Sequence, residues 1–256
     1  MDMDTRIVGK RVIYHEELSS TQDAADKLAR SGAEEGLVVI AGKQIQGRGR
    51  KGRRWLSPSG GGVYLSIILR PPLSPVNVVQ IPMVAGIAVA TAIRKTTQLQ
   101  AKIKWPNDIY IGRKKVAGIL TEINCEMDRV NYIILGIGIN VNTKIASLSK
   151  EVQGIATSLI DELDKNVSRV NLIRQFLTEF EKAYLLYVKR GLKPILLKWK
   201  TLNNTLGSRV RIYDSDTEIS GKAIDLDSEG FLLVKDDAGS VHKIICGDVS
   251  LRNLDI

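Results

Sequence analysis

The chain has 256 residues, of which 44% are hydrophobic and 25% are charged, a composition typical of a folded globular protein and unlike that of a disordered chain. This length accommodates one large core and a smaller module, so we expect two folded domains. Thirty-seven lysines and arginines against 28 acidic residues give a net charge of +9, which favours an anionic ligand or an acidic partner without by itself indicating DNA.

Cysteine and histidine are scarce in this chain. Cys125 and Cys246 lack metal-type spacing, which argues against a disulfide framework, and we expect both thiols to be inert. The chain has two histidines, His15 and His242. This small number argues against a histidine-rich zinc site and against a serine-histidine-aspartate triad.

The first ten residues are charged where a signal peptide would be apolar. The apolar run over residues 84–93 is too short to span a bilayer. We therefore expect a cytoplasmic protein that makes no contact with a membrane.

The first predicted elements are one helix and two strands. Ser20 and Thr21 stand before apolar residues at helical spacing, and Gly32 provides a stop, so a short helix is predicted between them. The apolar runs at 37–44 and 63–69 predict buried strands.

One helix, four consecutive strands and three further helices are predicted over the middle of the chain. Further strands are predicted over residues 101–105, 108–111, 116–123 and 132–141. Helices are predicted over residues 82–97, 158–163, 169–189 and 194–202, whereas no element is predicted in the variable region around 145–155. In the longest helix one apolar stripe contains Leu172, Ile173, Phe176, Leu177, Phe180, Tyr184 and Tyr187.

Beyond Asn203 and Asn204 the pattern changes to short strands separated by glycines, which predicts a small barrel. The sequence therefore predicts an α+β fold, with a mixed β-sheet flanked by helices over residues 1–203 and a small C-terminal β-barrel over residues 204–256.

A basic, glycine-rich loop joins the strands predicted at 37–44 and 63–69. It reads Gly47-Arg48-Gly49-Arg50-Lys51-Gly52-Arg53-Arg54-Trp55. Glycines let the backbone approach an anion, and each guanidinium presents a two-pronged fork to phosphate oxygens. We expect this loop to be mobile when empty and ordered when a nucleotide is bound.

Other interpretations of this loop remain open from its spacing alone. It formally matches G-x-G-x-x-G, but a strand follows it where a dinucleotide-binding fold requires a helix. A kinase-type loop would need H-R-D and D-F-G elements, which the chain lacks. A solvated turn or a nonspecific nucleic-acid patch is the simpler alternative.

Each further motif has a plain structural explanation when taken alone. Lys104-Trp105-Pro106-Asn107-Asp108 is compatible with a strand end followed by a bend, and Lys114-Lys115 with the exposed side of a hairpin turn. Gly136-x-Gly138-x-Asn140 is compatible with a central strand thinned by glycines, and Ser20 and Thr21 with helix caps.

Taken together and in order, these motifs resemble biotin protein ligases. The set comprises S-S-T-Q, K-Q-x-Q-G-R-G-R-x-G-R-x-W, Y-L-S, K-W-P-N-D, K-V-A-G-I-L-T-E and G-I-G-I-N-V-N, and it runs from about Glu17 to Asn142. The resemblance implies a class II synthetase-like catalytic domain followed by an SH3-like barrel. A lipoate or octanoyl transferase of the same broad fold is an alternative that K-W-P-N-D and G-R-G-R disfavour.

The resemblance also implies an activity. Biotin protein ligases activate biotin with ATP to biotinyl-5'-adenylate, release pyrophosphate, and transfer biotin to a lysine of a biotin carboxyl carrier protein. Catalytic roles are implied for Arg48, Lys115 and Asp108. Binding of biotin or nucleotide is implied for Ser20, Thr21, Gln44, Gly47, Arg48, Arg50, Trp55, Asn107, Lys115, Gly118, Leu120, Gly136, Gly138 and Asn140.

Among these residues, Lys115 is implied to contact the biotin carboxylate and the α-phosphate, while Arg48 and Arg50 cover the acyl-phosphate. Asn107 and Asp108 are implied to position the phosphates, magnesium or the incoming lysine; Asp108 is also a candidate base. The biotin tail is expected near Trp55 and the glycines at 136 and 138, where missing side chains leave room.

The substrates implied are biotin and ATP with Mg²⁺, for which no metal ligands are assigned. A homodimer formed through sheet surfaces is also implied. Because the stretch before Ser19 is short, we expect a ligase without a DNA-binding domain.

Overall fold

The computed structural model describes residues 5–126, 129–214, 217–245 and 247–252. These residues form a seven-stranded mixed sheet with helices and a separate five-stranded antiparallel sheet. The α+β class predicted from the sequence is confirmed. Cys246 lies outside the described residues, and Cys125 is exposed.

The N-terminal part contains seven strands and seven helices among the described residues. The strands are β1 (Val12–Leu18), β2 (Val38–Gln44), β3 (Gly62–Leu69), β4 (Lys102–Lys104), β5 (Asp108–Ile111), β6 (Lys114–Glu126) and β7 (Arg129–Asn140). The helices are α1 (Thr21–Arg30), α2 (Pro75–Val78), α3 (Ile81–Thr97), α4 (Lys150–Ile155), α5 (Leu159–Leu163), α6 (Arg169–Arg190) and α7 (Lys193–Leu202).

The strand order of the large sheet is β1-β2-β3-β7-β6-β5-β4, and only the β1–β2 pair is parallel among the described strands. Side chains alternate between the two faces of a strand. One face, including Ile67, Leu135 and Ile137, belongs to the main core, which also contains the buried residues of α3. Ile68 and Ile134, next along the same strands, belong to a second cluster under α1.

Helix α3 packs against both the sheet and α6, and the seven residues predicted for the stripe of α6 are all buried. By length and composition, Pro75–Thr97 is the one segment of the described chain that resembles a membrane-spanning helix. In this structure 72% of its most apolar stretch is buried inside the protein, as in the core helix of a folded domain.

Three N-terminal elements were not predicted from the sequence. Strand β1 has the exposure pattern of an edge, with His15, Glu16 and Glu17 exposed, so its sequence lacks the apolar run of a buried strand. Helices α2 and α4 have only four and six residues, too short for a helical repeat to be recognised.

The C-terminal sheet contains β8 (Arg209–Asp214), β9 (Thr217–Leu226), β10 (Leu232–Lys235), β11 (Val241–Ile244) and β12 (Asp248–Arg252), in the order β11-β10-β9-β8-β12. Its buried residues, such as Val210 and Leu232, belong to the same core cluster as the large sheet. The division of the chain at residue 203 stays a prediction.

Trp105 joins the two sheets. Its indole Nε1 donates to the carbonyl of Gly230 at 3.1 Å, and its backbone N–H donates to Thr205 Oγ1 at 2.9 Å. Trp105 is 4% exposed and Thr205 is fully buried, so both bonds are shielded from water. Residues of the C-terminal part, outside its strands, therefore hold the segment that leads into Asn107 and Asp108.

Candidate active site

A cavity of about 260 Å³ opens on the face of the large sheet that carries α1. All but one of the residues implied by the resemblance line it, and Asp108 lines it as well. The residues concerned are Ser20, Thr21, Gln44, Arg48, Arg50, Trp55, Asn107, Lys115, Gly118, Leu120, Gly136, Gly138 and Asn140. The structure thus brings these residues together around one cavity, and their contacts with ligands stay predictions.

Gly47 is the exception. It lines a second cavity of about 640 Å³ beside the basic loop, together with Asp23 and Glu122. A Cβ at Gly47 would lie 2.4 Å from the carbonyl oxygen of Trp55 and 2.8 Å from Ser57 Oγ. Glycine is therefore needed here because two stretches of backbone approach each other closely.

Glycines on β6 and β7 form the floor of the cavity. Gly118 is paired with Gly138 across the two strands. A Cβ at Gly138 would lie 2.6 Å from Trp55 Nε1, and one at Gly136 would lie 2.7 Å from Gln22 Oε1. The space that the glycines leave is thus occupied by the side chains of Trp55 and Gln22, which themselves line the cavity.

A chain of buried polar groups lies beside this floor. Ser20 caps α1 by accepting from the Gln22 N–H at 3.2 Å, as predicted from the sequence. Thr21 donates from its N–H and its hydroxyl to Gln44 Oε1, at 2.9 and 3.1 Å. Ser66 Oγ lies 2.8 Å from both Thr21 Oγ1 and Gln22 Oε1. These groups give the cavity a fixed set of donors and acceptors.

Residues 46–55 form a basic flap over the cavity. The flap is a small hairpin in which the Gly49 N–H donates to the Arg53 carbonyl at 2.7 Å and the Trp55 N–H donates to the Gly47 carbonyl at 2.8 Å. Positive φ angles at Lys51 and Gly52 make the turn. The flap therefore has internal hydrogen bonds of its own; its mobility in solution stays a prediction.

The two flap arginines singled out from the sequence have different partners. Arg50 Nη1 donates to Asn107 Oδ1 at 2.8 Å. Arg48 forms ion pairs with two carboxylates, Asp23 and Glu122. Arg50 is thus directed toward the polar residues of the cavity, whereas Arg48 is held by two acids at its edge.

Lys115 and Asp108 face each other across the β5–β6 hairpin. Lys115 Nζ lies 2.6 Å from Asp108 Oδ1 and 5.4 Å from the centroid of the Trp55 ring. Their side chains are 28% and 20% exposed, so this pair is partly shielded from solvent. The cavity lining also contains Arg48, Arg50, Arg53 and Arg54. Its described residues therefore favour an anionic ligand.

Two asparagines brace the site. Asn107 Nδ2 donates to the Ile119 carbonyl at 2.7 Å, and the Ile119 N–H donates to the Asn107 carbonyl at 3.0 Å. Asn140, which is 8% exposed, donates from Nδ2 to the Thr157 carbonyl at 3.0 Å. Both side chains therefore fix neighbouring backbone in addition to lining the cavity.

Tyr110, next to this hairpin, is a poor candidate for a base. Burial, with a smaller contribution from the negative charge of Asp108, raises the pKa of Tyr110 to about 12. Its phenol therefore stays protonated at physiological pH and cannot accept a proton. Asp108, which follows Asn107 in sequence and lines the cavity, is the better candidate.

Sequence reasoning missed an apolar wall of the cavity. Leu148, Val152 and Ile155 line it, and the side chain of Ile155 is 65% exposed. The Thr157 N–H donates to the Lys115 carbonyl at 2.9 Å, which holds the end of this region against β6. The sequence around 145–155 has no apolar periodicity, so its role as a cavity wall is visible only from its position beside Lys115 in the folded structure. Gln22 was missed for a different reason: the S-S-T-Q motif was interpreted mainly as a helix cap.

No group of three or more His, Cys, Asp or Glu side chains suited to a metal ion occurs among the described residues. Asn107 and Asp108 nevertheless provide oxygen atoms of the kind that Mg²⁺ prefers. Mg²⁺ commonly binds through one or two carboxylates and the substrate's phosphates, and does not need an all-protein cage. The donor set fits a metal that arrives with a nucleotide.

Comparison with known proteins identifies the family of this chain. The sequence profile of the Biotin/lipoate A/B protein ligase family matches residues 14–140, and that of the biotin protein ligase C-terminal domain matches residues 205–252. The bifunctional ligase/repressor BirA of Bacillus subtilis is 41% identical over 249 residues, covering 97% of this chain and 76% of that protein. The biotin--[acetyl-CoA-carboxylase] ligase of Mycobacterium tuberculosis is 32% identical, with coverage of 88% and 84%.

Among solved structures, the biotin protein ligase from Aquifex aeolicus in complex with biotin and ATP superposes with a TM-score of 0.83. It is 32% identical in sequence, and the match covers 95% of this chain and 99% of that one. The named relatives are biotin ligases, so the lipoate alternative is not favoured. With matching profiles, relatives and fold, the chain belongs to the biotin protein ligases of the biotin/lipoate A/B protein ligase family.

Proposed function

We propose that this chain joins biotin to ATP to give biotinyl-5'-adenylate and then transfers the biotin to a lysine of a biotin carboxyl carrier protein. In the first step a biotin carboxylate oxygen attacks the α-phosphorus of ATP, and pyrophosphate leaves. In the second step the lysine amine attacks the acyl carbon, and AMP leaves. The observation that carries the proposal is the single cavity in which a buried polar chain, an apolar wall and a cluster of cations meet.

The Lys115–Asp108 pair supports a different role for each residue, with Lys115 acting in the first step and Asp108 in the second. Joining a carboxylate to a phosphate brings negative groups together, so positive charge fixed where charge develops lowers the barrier. Lys115 supplies that charge, with Arg50 oriented by Asn107 as a second cation. When Lys115 turns from Asp108 to the nucleotide, the Asp108 carboxylate becomes free to accept a proton from the incoming lysine ammonium.

Biotin is placed at the polar end of the cavity. Its ureido head needs donors and acceptors in a dry site, which Ser20, Thr21 and Gln44 provide. Mg²⁺ arriving with ATP would be held by the side-chain oxygens of Asn107 and Asp108 during the first step only, where it would neutralise phosphate charge. The homodimer implied by the resemblance and the cytoplasmic location expected from the sequence stay predictions.

The test is biotin-dependent exchange of labelled pyrophosphate into ATP by the full chain. Exchange that requires biotin and is not supported by lipoate or octanoate is expected. This assay follows the first step and does not need the identity of the carrier. Exchange supported by lipoate but not by biotin would contradict the proposed substrate.

The apolar wall suggests a position for the adenine ring. Ile155 is exposed although it is apolar, and it lines the cavity together with Leu148 and Val152. Replacement of Ile155 by serine is expected to raise the KM for ATP by up to about tenfold, because part of a buried apolar contact worth about 1–2 kcal/mol is lost. The Kd for biotin, measured by calorimetry, is expected to change by less than about twofold.

Val170→Ser is the matched control, because Val170 is also exposed but does not line the cavity. It is expected to leave both constants at the parent values. If Ile155→Ser weakened biotin binding as much as ATP binding, the wall would be assigned to biotin instead.

A further inference from the structure

We propose that Asp23 and Glu122, named here the acidic clasp, are positioning residues that hold the basic flap closed through Arg48. The inference rests on the proposed function, since it explains how the adenylate is retained. Neither acid belongs to the ligand-binding set implied by the resemblance. Both line the cavity beside the flap and both pair with the Arg48 guanidinium.

The clasp acts on the whole flap because Arg48 is part of the hairpin. The backbone of Arg48 is bridged to that of Arg54, and Arg54 Nη2 donates to the Ile45 carbonyl at 2.8 Å. Fixing the Arg48 side chain therefore fixes both arms of the hairpin. The two acids hold it from two different elements, α1 and β6.

Glu122 is itself fixed by the buried floor. Its second carboxylate oxygen, Oε2, accepts from Gln22 Nε2 at 2.8 Å, and Gln22 is 3% exposed. Gln22 Oε1 is in turn 2.8 Å from Ser66 Oγ, which is next to Thr21. The segment just beyond the flap is tied to the same chain, because Gln44 Nε2 donates to Ser57 Oγ at 2.9 Å. One polar chain along the cavity therefore connects Arg48 of the flap with the residues on either side of it.

This arrangement assigns different tasks to the two arginines. Arg48 is neutralised by carboxylates and serves as an anchor, whereas Arg50 points to Asn107 on the nucleotide side. The charge pairs are partly exposed, with side-chain exposures of 44% for Arg48, 47% for Asp23 and 34% for Glu122. A partly exposed pair forms a closure that opens readily, as substrate entry requires.

The experiment compares Glu122→Gln, Asp23→Asn and the double variant with the parent chain. Both substitutions keep the shape of the side chain, and glutamine at 122 can still accept from Gln22. Two measurements are made: the rate of trypsin cleavage within residues 46–55 of the ligand-free protein, and the dissociation rate of biotinyl-5'-adenylate. Trypsin suits this flap because it cuts after arginine and lysine.

Each single variant is expected to raise both rates about two- to fivefold, and the double variant on the order of tenfold, as expected for the loss of partly exposed ion pairs. The maximal rate of pyrophosphate exchange at saturating substrates is expected to stay within about twofold of the parent rate. Glu34→Gln removes the same charge from an exposed position elsewhere and is expected to change neither rate.

A charge exchange separates a direct pair from a general structural effect. In the Asp23→Asn background, which removes the second carboxylate, Glu122→Arg combined with Arg48→Glu is expected to restore trypsin resistance relative to either of these two changes alone. Parent-like cleavage and dissociation in Glu122→Gln and Asp23→Asn, or an exchanged pair no better than its single members, would overturn the clasp. The trypsin arm uses the empty protein, so it reports on the clasp even if biotin-dependent exchange fails.

Discussion

Replacement of Lys115 by alanine is expected to slow biotin-dependent pyrophosphate exchange by about 10²- to 10³-fold, the usual cost of removing one charge-stabilising donor from a transition state. The Kd for biotin is expected to change only a few-fold, since the polar chain at Thr21 and Gln44 is intact. Single-turnover formation of the adenylate and calorimetric titration with biotin are the two measurements. A large kinetic effect with a small binding effect identifies an interaction made mainly in the transition state.

Lys114→Ala is the matched control, because it removes a neighbouring lysine that is exposed and does not line the cavity. It is expected to behave like the parent. Equal losses of exchange rate and biotin affinity in Lys115→Ala would reduce Lys115 to a binding contact. A second variant, Lys115→Arg, keeps a positive partner for Asp108 and separates charge loss from local misfolding.

Arg48→Gly is expected to release biotinyl-5'-adenylate at least about tenfold faster than the parent and to label the amines of a bystander protein. Two ion pairs of up to about 1 kcal/mol each are lost. The added glycine also raises the conformational-entropy cost of ordering the closed flap by about 0.5–1 kcal/mol. Release is measured by stopped-flow displacement, and labelling by streptavidin blot with serum albumin as the bystander.

Lys51→Gly provides the comparison within the same flap. It removes one positive charge at the turn, where Lys51 has a φ of 53° that glycine adopts readily. Adenylate retention is expected to stay close to the parent value. If Arg48→Gly held the adenylate as firmly as the parent, Arg48 would not shield the intermediate.

Much of the fold was predictable because its central elements are strongly apolar. The strands β2, β3 and β7 and the helix α3 bury most of their side chains, and α6 buries one apolar stripe, so their sequences carry clear patterns. The edge strand β1 and the short helices α2 and α4 carry no such apolar pattern. Their positions depend on neighbours that lie far away in sequence, which no local pattern records.

The site was predictable as a set of residues but not as a set of contacts. Glycines at 136 and 138 indicated a close approach of another group, and the structure shows that Gln22 and Trp55 make that approach. The pairing of Arg48 with Glu122 spans 74 residues. An arginine in a glycine-rich loop is an equally good phosphate ligand or ion-pair partner, and only the fold distinguishes the two.

The hydrogen bonds from Trp105 to Gly230 and Thr205 have a consequence for protein engineering. A chain cut after residue 203 would strip both hydrogen-bond acceptors from a buried tryptophan that precedes Asn107 and Asp108 by only a few residues. Chimeras that exchange C-terminal portions between relatives therefore need matched partners on both sides of this junction. The last fifty or so residues therefore support the segment that carries Asn107 and Asp108.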